Sequence, residues 1–130
     1  RFRFGDVMLT SDNDYATIMV VAMDNRPLRD SEKVLVQLGT TARMTGWTER
    51  DATFESGGQK LQGRQILDTG RPPWRLADNR VKLTLNNPSL QRAIVLDVDG
   101  YPRQEVSLER HGGAVMLDIP RDCLYVILTK

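Results

Sequence analysis

Along the chain one signal recurs: short apolar runs of period two, each closed by turn residues. "VMLT" at 7–10 stops at "SDND", and the β-branched run "YATIMVVAM" at 15–23 stops at "DNRP". "KVLVQL" at 33–38, "VKLTL" at 81–85 and "AIVLDV" at 93–98 follow the same rule, the last closed by "DGY". "EVSLE" at 105–109 and "AVMLDI" at 114–119 flank "RHGG", a hairpin signal, and "CLYVILT" ends the chain as a last strand. No segment of about eleven residues carries a 3.6-residue apolar period. The nearest helical candidate is "LRDSEK", one or two turns at most, with Asp30 or Ser31 as cap. These patterns predict an all-β, antiparallel β-sandwich of jelly-roll-like type.

The middle breaks the pattern. Residues 48–73, "TERDATFESGGQKLQGRQILDTGRPP", are polar and glycine-rich, and a tryptophan stands at each side, Trp47 and Trp74. A connection this long is either functional or ordered by short strands of its own, for which "ATF" and "RQIL" are the candidates. With 130 residues and 40% hydrophobic composition, the chain is expected to be one domain, 1–130, with a core large enough to need no staples. Its opening, "RFRFGDVMLTSD", reads as a strand at a domain boundary, as in a piece cut from a larger parent.

Eighteen basic and 17 acidic residues leave a net charge of +1, which argues against nucleic acid or a membrane surface as partner. The single cysteine, Cys123, excludes an internal disulfide and reads as a small buried residue beside an apolar run. The single histidine, His111, falls at the expected hairpin tip, where a solvated residue is expected rather than a catalytic base. Asp24, Asp30, Glu32, Asp51, Glu55, Asp68 and Asp78 lie in or near loops, with no spacing that marks a glycosidase pair. No catalytic residue is assigned, and no hydrolytic activity is expected. No cofactor is required. Asp12, Asn13 and Asp14 in "SDND" are the candidate calcium ligands, whereas "DVDG" at 97–100 lacks the following glutamate and reads as a turn.

Aromatic side chains remain: Phe2, Phe4, Tyr15, Trp47, Phe54, Trp74, Tyr101 and Tyr125. A tryptophan face removes the flat C–H face of a sugar ring from water while polar neighbours bond its hydroxyls. Arg43, Glu49 and Arg50 stand near Trp47, and Arg75 stands beside Trp74. These six form the candidate carbohydrate-binding set. Each tryptophan reads equally well as a core or edge plug.

Several stretches, in order, carry a family pattern. "AMDNRPLRDSEKVLVQLGTTARMTGW" places Asp24, Pro27, Leu28, Ser31, Leu35, Gly39, Thr45 and Gly46 on "LDGxPLxxSxxxLL" followed by "GxxxNTGxxW". "GRPPWRLADNRVKLTL" adds Gly70, Pro73 and Val81, and "VLDVDGYPRQEV" matches a later strand pair. The chain thus resembles the accessory β-sandwich domain, carbohydrate-binding-module-like, that follows the catalytic barrel of bacterial polysaccharide-degrading glycoside hydrolases. The resemblance implies a secreted, non-catalytic domain whose partners are a plant or algal polysaccharide and the catalytic domain of the parent chain. Flat stacking on tryptophan favours a β-glucan. The alternative is a structural domain that packs on the barrel and binds no sugar.

Overall fold

The computed structural model describes all residues, 1–130, and is built of strands alone. In chain order these are β1 (Phe2–Phe4), β2 (Val7–Ser11), β3 (Ala16–Ala22), β4 (Lys33–Thr40), β5 (Ala42–Thr45), β6 (Thr48–Ser56) and β7 (Gln59–Asp68). They continue as β8 (Arg71–Leu76), β9 (Val81–Leu85), β10 (Arg92–Leu96), β11 (Pro102–Val106), β12 (Glu109–His111), β13 (Ala114–Asp118) and β14 (Tyr125–Thr129). The chain divides into two compact units, Arg1–Thr40 with Asp78–Lys130, and Thr41–Ala77.

The first unit is an antiparallel β-sandwich. One sheet runs β1-β2-β9-β13-β12 and the other β11-β10-β14-β4-β3. Alternation fixes which residues meet between them, since successive side chains point to opposite faces. Val7, Leu9, Val81, Leu83, Leu85, Val115 and Leu117 face inward from the first sheet. Val34, Val36, Leu38, Ala93, Val95, Val126 and Leu128 answer from the second, and all are buried.

The outer faces differ. On the first sheet Thr10, Lys82, Thr84 and Asp118 face out, with Lys82 Nζ 3.1 Å from Asp118 Oδ2. That is the usual half-buried sheet. On the second sheet the outward row Val21–Leu35–Ile127–Ile94 crosses four strands before it meets Glu105. The row is apolar across the middle of the sheet, while Lys33, Gln37 and Arg92 share the same outer face.

Two buried asparagines stand at the two ends of β9. Asn79 Nδ2 donates to the carbonyls of Pro120, Arg121 and Cys123 at 2.7, 3.0 and 2.9 Å, pinning the β13–β14 connection. Asn87 Nδ2 donates to the carbonyls of Leu28 and Ser31 at 2.7 and 2.8 Å, and its Oδ1 accepts from the amide and hydroxyl of Ser89. Ser31, also buried, has its hydroxyl 2.8 Å from Asp24 Oδ1, while Asp24 Oδ2 accepts the Glu32 amide at 2.8 Å.

Two local expectations change. "LRDSEK" forms a turn, closed by Asp30 N–H to the Pro27 carbonyl at 2.9 Å, and no helix. Ser31 is not a helix cap; its hydroxyl is taken by Asp24 and the Lys33 backbone. "EVSLE" is not one strand. The chain leaves the second sheet after Val106 and enters the first at Glu109, with Val106 and Leu108 packed on the core during the crossing. Its apolar period survives the crossing because both sheets face the same core.

Asn87→Ala should lower the melting temperature by several degrees. It strands two buried carbonyls and the Ser89 donors, and each unmet buried group costs about 1–3 kcal/mol. The exposed neighbour Asn86→Ala is the control; equal melts for the two variants would show that Asn87 holds nothing.

Asp24 has its carboxyl held below the ordinary value by the Glu32 amide first, then by the Ser31 hydroxyl, the Arg26 amide and the Arg26 charge. The folded protein therefore binds that proton less readily than the unfolded chain. Its stabilising contribution is complete above the unfolded value of about 4 and fades as pH falls through the folded one. The wild type should lose melting temperature as pH falls below about 4, and Asp24→Asn should lose less over that range. Parallel pH profiles for the two proteins would contradict the assignment.

Candidate functional site

The second unit holds all six residues of the candidate saccharide set. It consists of the β5–β8 ladder and the long β6–β7 hairpin, and none of its residues is fully buried. "ATF" and "RQIL" lie inside strands of nine and ten residues, paired from Thr48↔Asp68 to Ser56↔Gln59. Side-chain pairs hold this ladder. Arg50 Nε donates to Gln65 Oε1 at 2.9 Å, Thr53 Oγ1 to Gln62 Oε1 at 3.2 Å, and the Phe54 ring lies over Gly63. Arg64 bridges Glu49 at 2.7 Å and Asp51 at 3.5 Å, on the face of Thr53 and Gln62 and opposite Arg50 and Phe54.

Trp47 follows a tight reversal at Gly46, whose φ is +83°. The reversal is closed by Trp47 N–H to the Met44 carbonyl at 3.1 Å. Its backbone also meets Gly70, at φ +71°, where a Cβ would lie 2.9 Å from the Trp47 nitrogen and closer still to the Thr45 carbonyl oxygen. Only glycine fits there. The indole is then braced from two sides. Arg43 stacks its guanidinium 4.7 Å from the ring centroid, and Nε1–H donates to Glu49 Oε2 at 3.0 Å. Arg43, Trp47, Glu49 and Arg64 thus form one connected cluster, and Trp47 is half-buried within it.

Trp74 stands differently. The register pairs Met44 with Trp74, Ala42 with Leu76, and Arg43 with Arg75. Alternation puts Trp74, Met44 and Leu76 on one face of β5–β8, and both arginines on the other. Trp74 is 61% exposed and Leu76 48%. Arg43, Trp47 and Glu49 are therefore brought together, with Arg75 across the ladder from Arg43. Arg50 lies on the opposite face of β6–β7 from Glu49, and Trp74 on the opposite face of β5–β8 from Arg43.

Elsewhere the chemistry is spent locally. Asn13 Oδ1 accepts the Arg80 amide at 2.7 Å, and its Nδ2 donates to the Asp78 carbonyl at 2.8 Å, so this carboxamide straps β2 to the approach of β9. Asp12 and Asp14 line two different cavities, one beside Lys82 and one beside Phe4. No group of three His, Cys, Asp or Glu side chains converges as around a metal ion. Asp97 Oδ1 accepts the amides of Asp99 and Tyr101, both at 2.9 Å, which makes "DVDG" a turn. Cys123 is buried, and burial pushes its thiol up, away from reactivity. His111 is exposed beside the Gly112–Gly113 turn.

Alternation in the strands had not drawn attention to the apolar outer face of the second sheet. The signal was present in "IMVVA", "VLV" and "YVIL", where apolar residues follow one another without alternation. Comparison with models of protein families, with curated proteins and with solved structures finds no match to this chain.

Proposed function

We propose that this is a non-catalytic carbohydrate-binding module, with Trp74 as its stacking surface. The observation that carries the reading is the pose of that ring. It is exposed, set at the last regular pair of the ladder before the bulge between Met44 and Thr45, and flanked by Met44 and Leu76 on an apolar face. A sugar ring laid on this face would exchange water for contact with an aromatic and two aliphatic neighbours. Trp47 serves that surface from behind. Its nitrogen and one face are already engaged, so it braces the ladder that presents Trp74. The favoured ligand is a neutral plant or algal polysaccharide of β-glucan type, and the resemblance to accessory domains of glycoside hydrolases points the same way.

A second reading is favoured by a separate observation, the outward row Val21–Leu35–Ile127–Ile94. An apolar sheet face of this extent suits a permanent neighbour, such as the catalytic domain of a parent enzyme. The two readings are compatible, since they use different residues.

Affinity electrophoresis against β-glucan, xylan and mannan tests the first. Trp74→Ala should keep its melt and weaken binding roughly tenfold, the equivalent of about 1.4 kcal/mol. Trp47→Ala should lower the melting temperature, having lost the Arg43 stack and the Glu49 bond. Unchanged retardation of Trp74→Ala would remove Trp74 as the binding surface.

For the second reading, Leu35→Lys should abolish co-elution with the parent's catalytic domain and leave the circular dichroism spectrum unaltered. Co-elution that persists would end that reading.

A further inference from the structure

The sandwich has its own aromatic groove, on residues outside the six of the saccharide set. Register places Phe2 opposite Leu9 and Phe4 opposite Val7, so both rings project from the inner face of the first sheet. Leu9 and Val7 are buried there. Phe2 and Phe4 are 56% and 65% exposed, because β1 is the edge strand. β3 is the edge strand of the second sheet, and its inward Ile18 reaches the same space. Between the two edges lies a cavity of about 420 Å³, with Leu9, Ile18, Phe2, Phe4 and Tyr15 among its lining. That volume falls in the range of ligand pockets, about 300–1,000 Å³.

The polar groups narrow the ligand. Ser11 Oγ accepts the Asn13 amide at 3.2 Å, and the Asn13 carboxamide is bound to the backbone of Asp78 and Arg80. Tyr15 is 61% exposed, and its Oη lies 3.1 Å from Oγ1 of Thr17, which faces outward on β3, so Tyr15 stands at the rim of the groove. Asp14 is the one charged side chain of the lining, and no cation lines the groove. A ligand must therefore offer flat apolar faces and hydroxyl donors, and an anionic sugar would meet only a carboxylate. Phe2 and Phe4, two positions apart on a strand, stand about 7 Å apart along it, which suits an extended chain of rings. The rings are open to solvent, whereas a cation held by aromatic faces gains most when it is enclosed.

We infer that the groove between β1 and β3 is a binding site for a neutral saccharide chain, with Phe2 and Phe4 stacking on its rings, Asp14 accepting its hydroxyls and Tyr15 at its rim. The inference rests on the reading of the protein as a saccharide-recognition module, but on different residues, so the two can fail apart.

The test is NMR titration of the full chain, and of its Trp74→Ala variant, with cellohexaose and laminarihexaose, following the Tyr15 and phenylalanine ring signals. Oligogalacturonate, tetramethylammonium and an unrelated extended peptide are the controls. One of the neutral oligosaccharides should shift the Phe2 and Phe4 ring signals in both proteins, and the controls should not. Phe2→Ala and Phe4→Ala should each weaken that response about tenfold. Asp14→Asn, an exposed and near-isosteric change, should weaken it with the fold intact. Silence of the ring signals while Trp74 responds would overturn the groove and leave the Trp74 surface standing. Silence at both would overturn both. A response to tetramethylammonium or to the peptide, but to neither sugar, would reassign the groove to a cation or an added strand and overturn the inference.

Discussion

Buried amide hydrogen bonds at the two ends of β9 hold the sandwich in register. β9 is the central strand of its sheet, with β2 on one side and β13 on the other. Asn79 before it takes three carbonyls of the β13–β14 connection, and Asn87 after it takes two from the β3–β4 connection. Both connections lead into the second sheet. Hydrophobic burial drives the sheets together but has no direction, whereas a buried donor with a specific carbonyl partner does. The Asp24–Ser31 pair extends the same network to the surface of the loop.

The second unit is held by a different physics. It has no fully buried residue, and a two-stranded ribbon without a core is marginal in water. Cross-strand pairs and the Arg43–Trp47–Glu49–Arg64 cluster make up part of the difference. The absence of a core also frees side chains that a sandwich would have absorbed. Trp74 and Leu76 remain at the surface for that reason, as do Phe54, Leu61, Ile66 and Leu67. An element with this profile is suited to presenting residues, which is what a recognition surface asks of it.

The strands of the sandwich were legible because burial imposes a period of two, and Val81–Leu85 falls where "VKLTL" alternates. β6 and β7 were legible only as fragments. Their residues are paired by hydrogen bonds and charge, and such pairing leaves no hydrophobic period to read. Asn79 and Asn87 were invisible for a related reason, since an asparagine in "ADNRV" or "NNPS" looks like any other turn residue. The two tryptophans could be placed beside the polar segment but not told apart. What separates them is one ladder position: Met44 pairs with Trp74, and Arg43, its neighbour, turns to the other face and covers Trp47.

Trp74 is proposed as the surface offered to a ligand, and Trp47 as its support. The two indole N–H signals in a nitrogen-15 correlation spectrum report on them separately, because there are only two tryptophans. Adding the polysaccharide fragment that binds should move the Trp74 signal and leave that of Trp47, which is bonded to Glu49, nearly in place. A spectrum in which Trp47 moves and Trp74 does not, or in which neither moves while the fragment is bound, would contradict the claim.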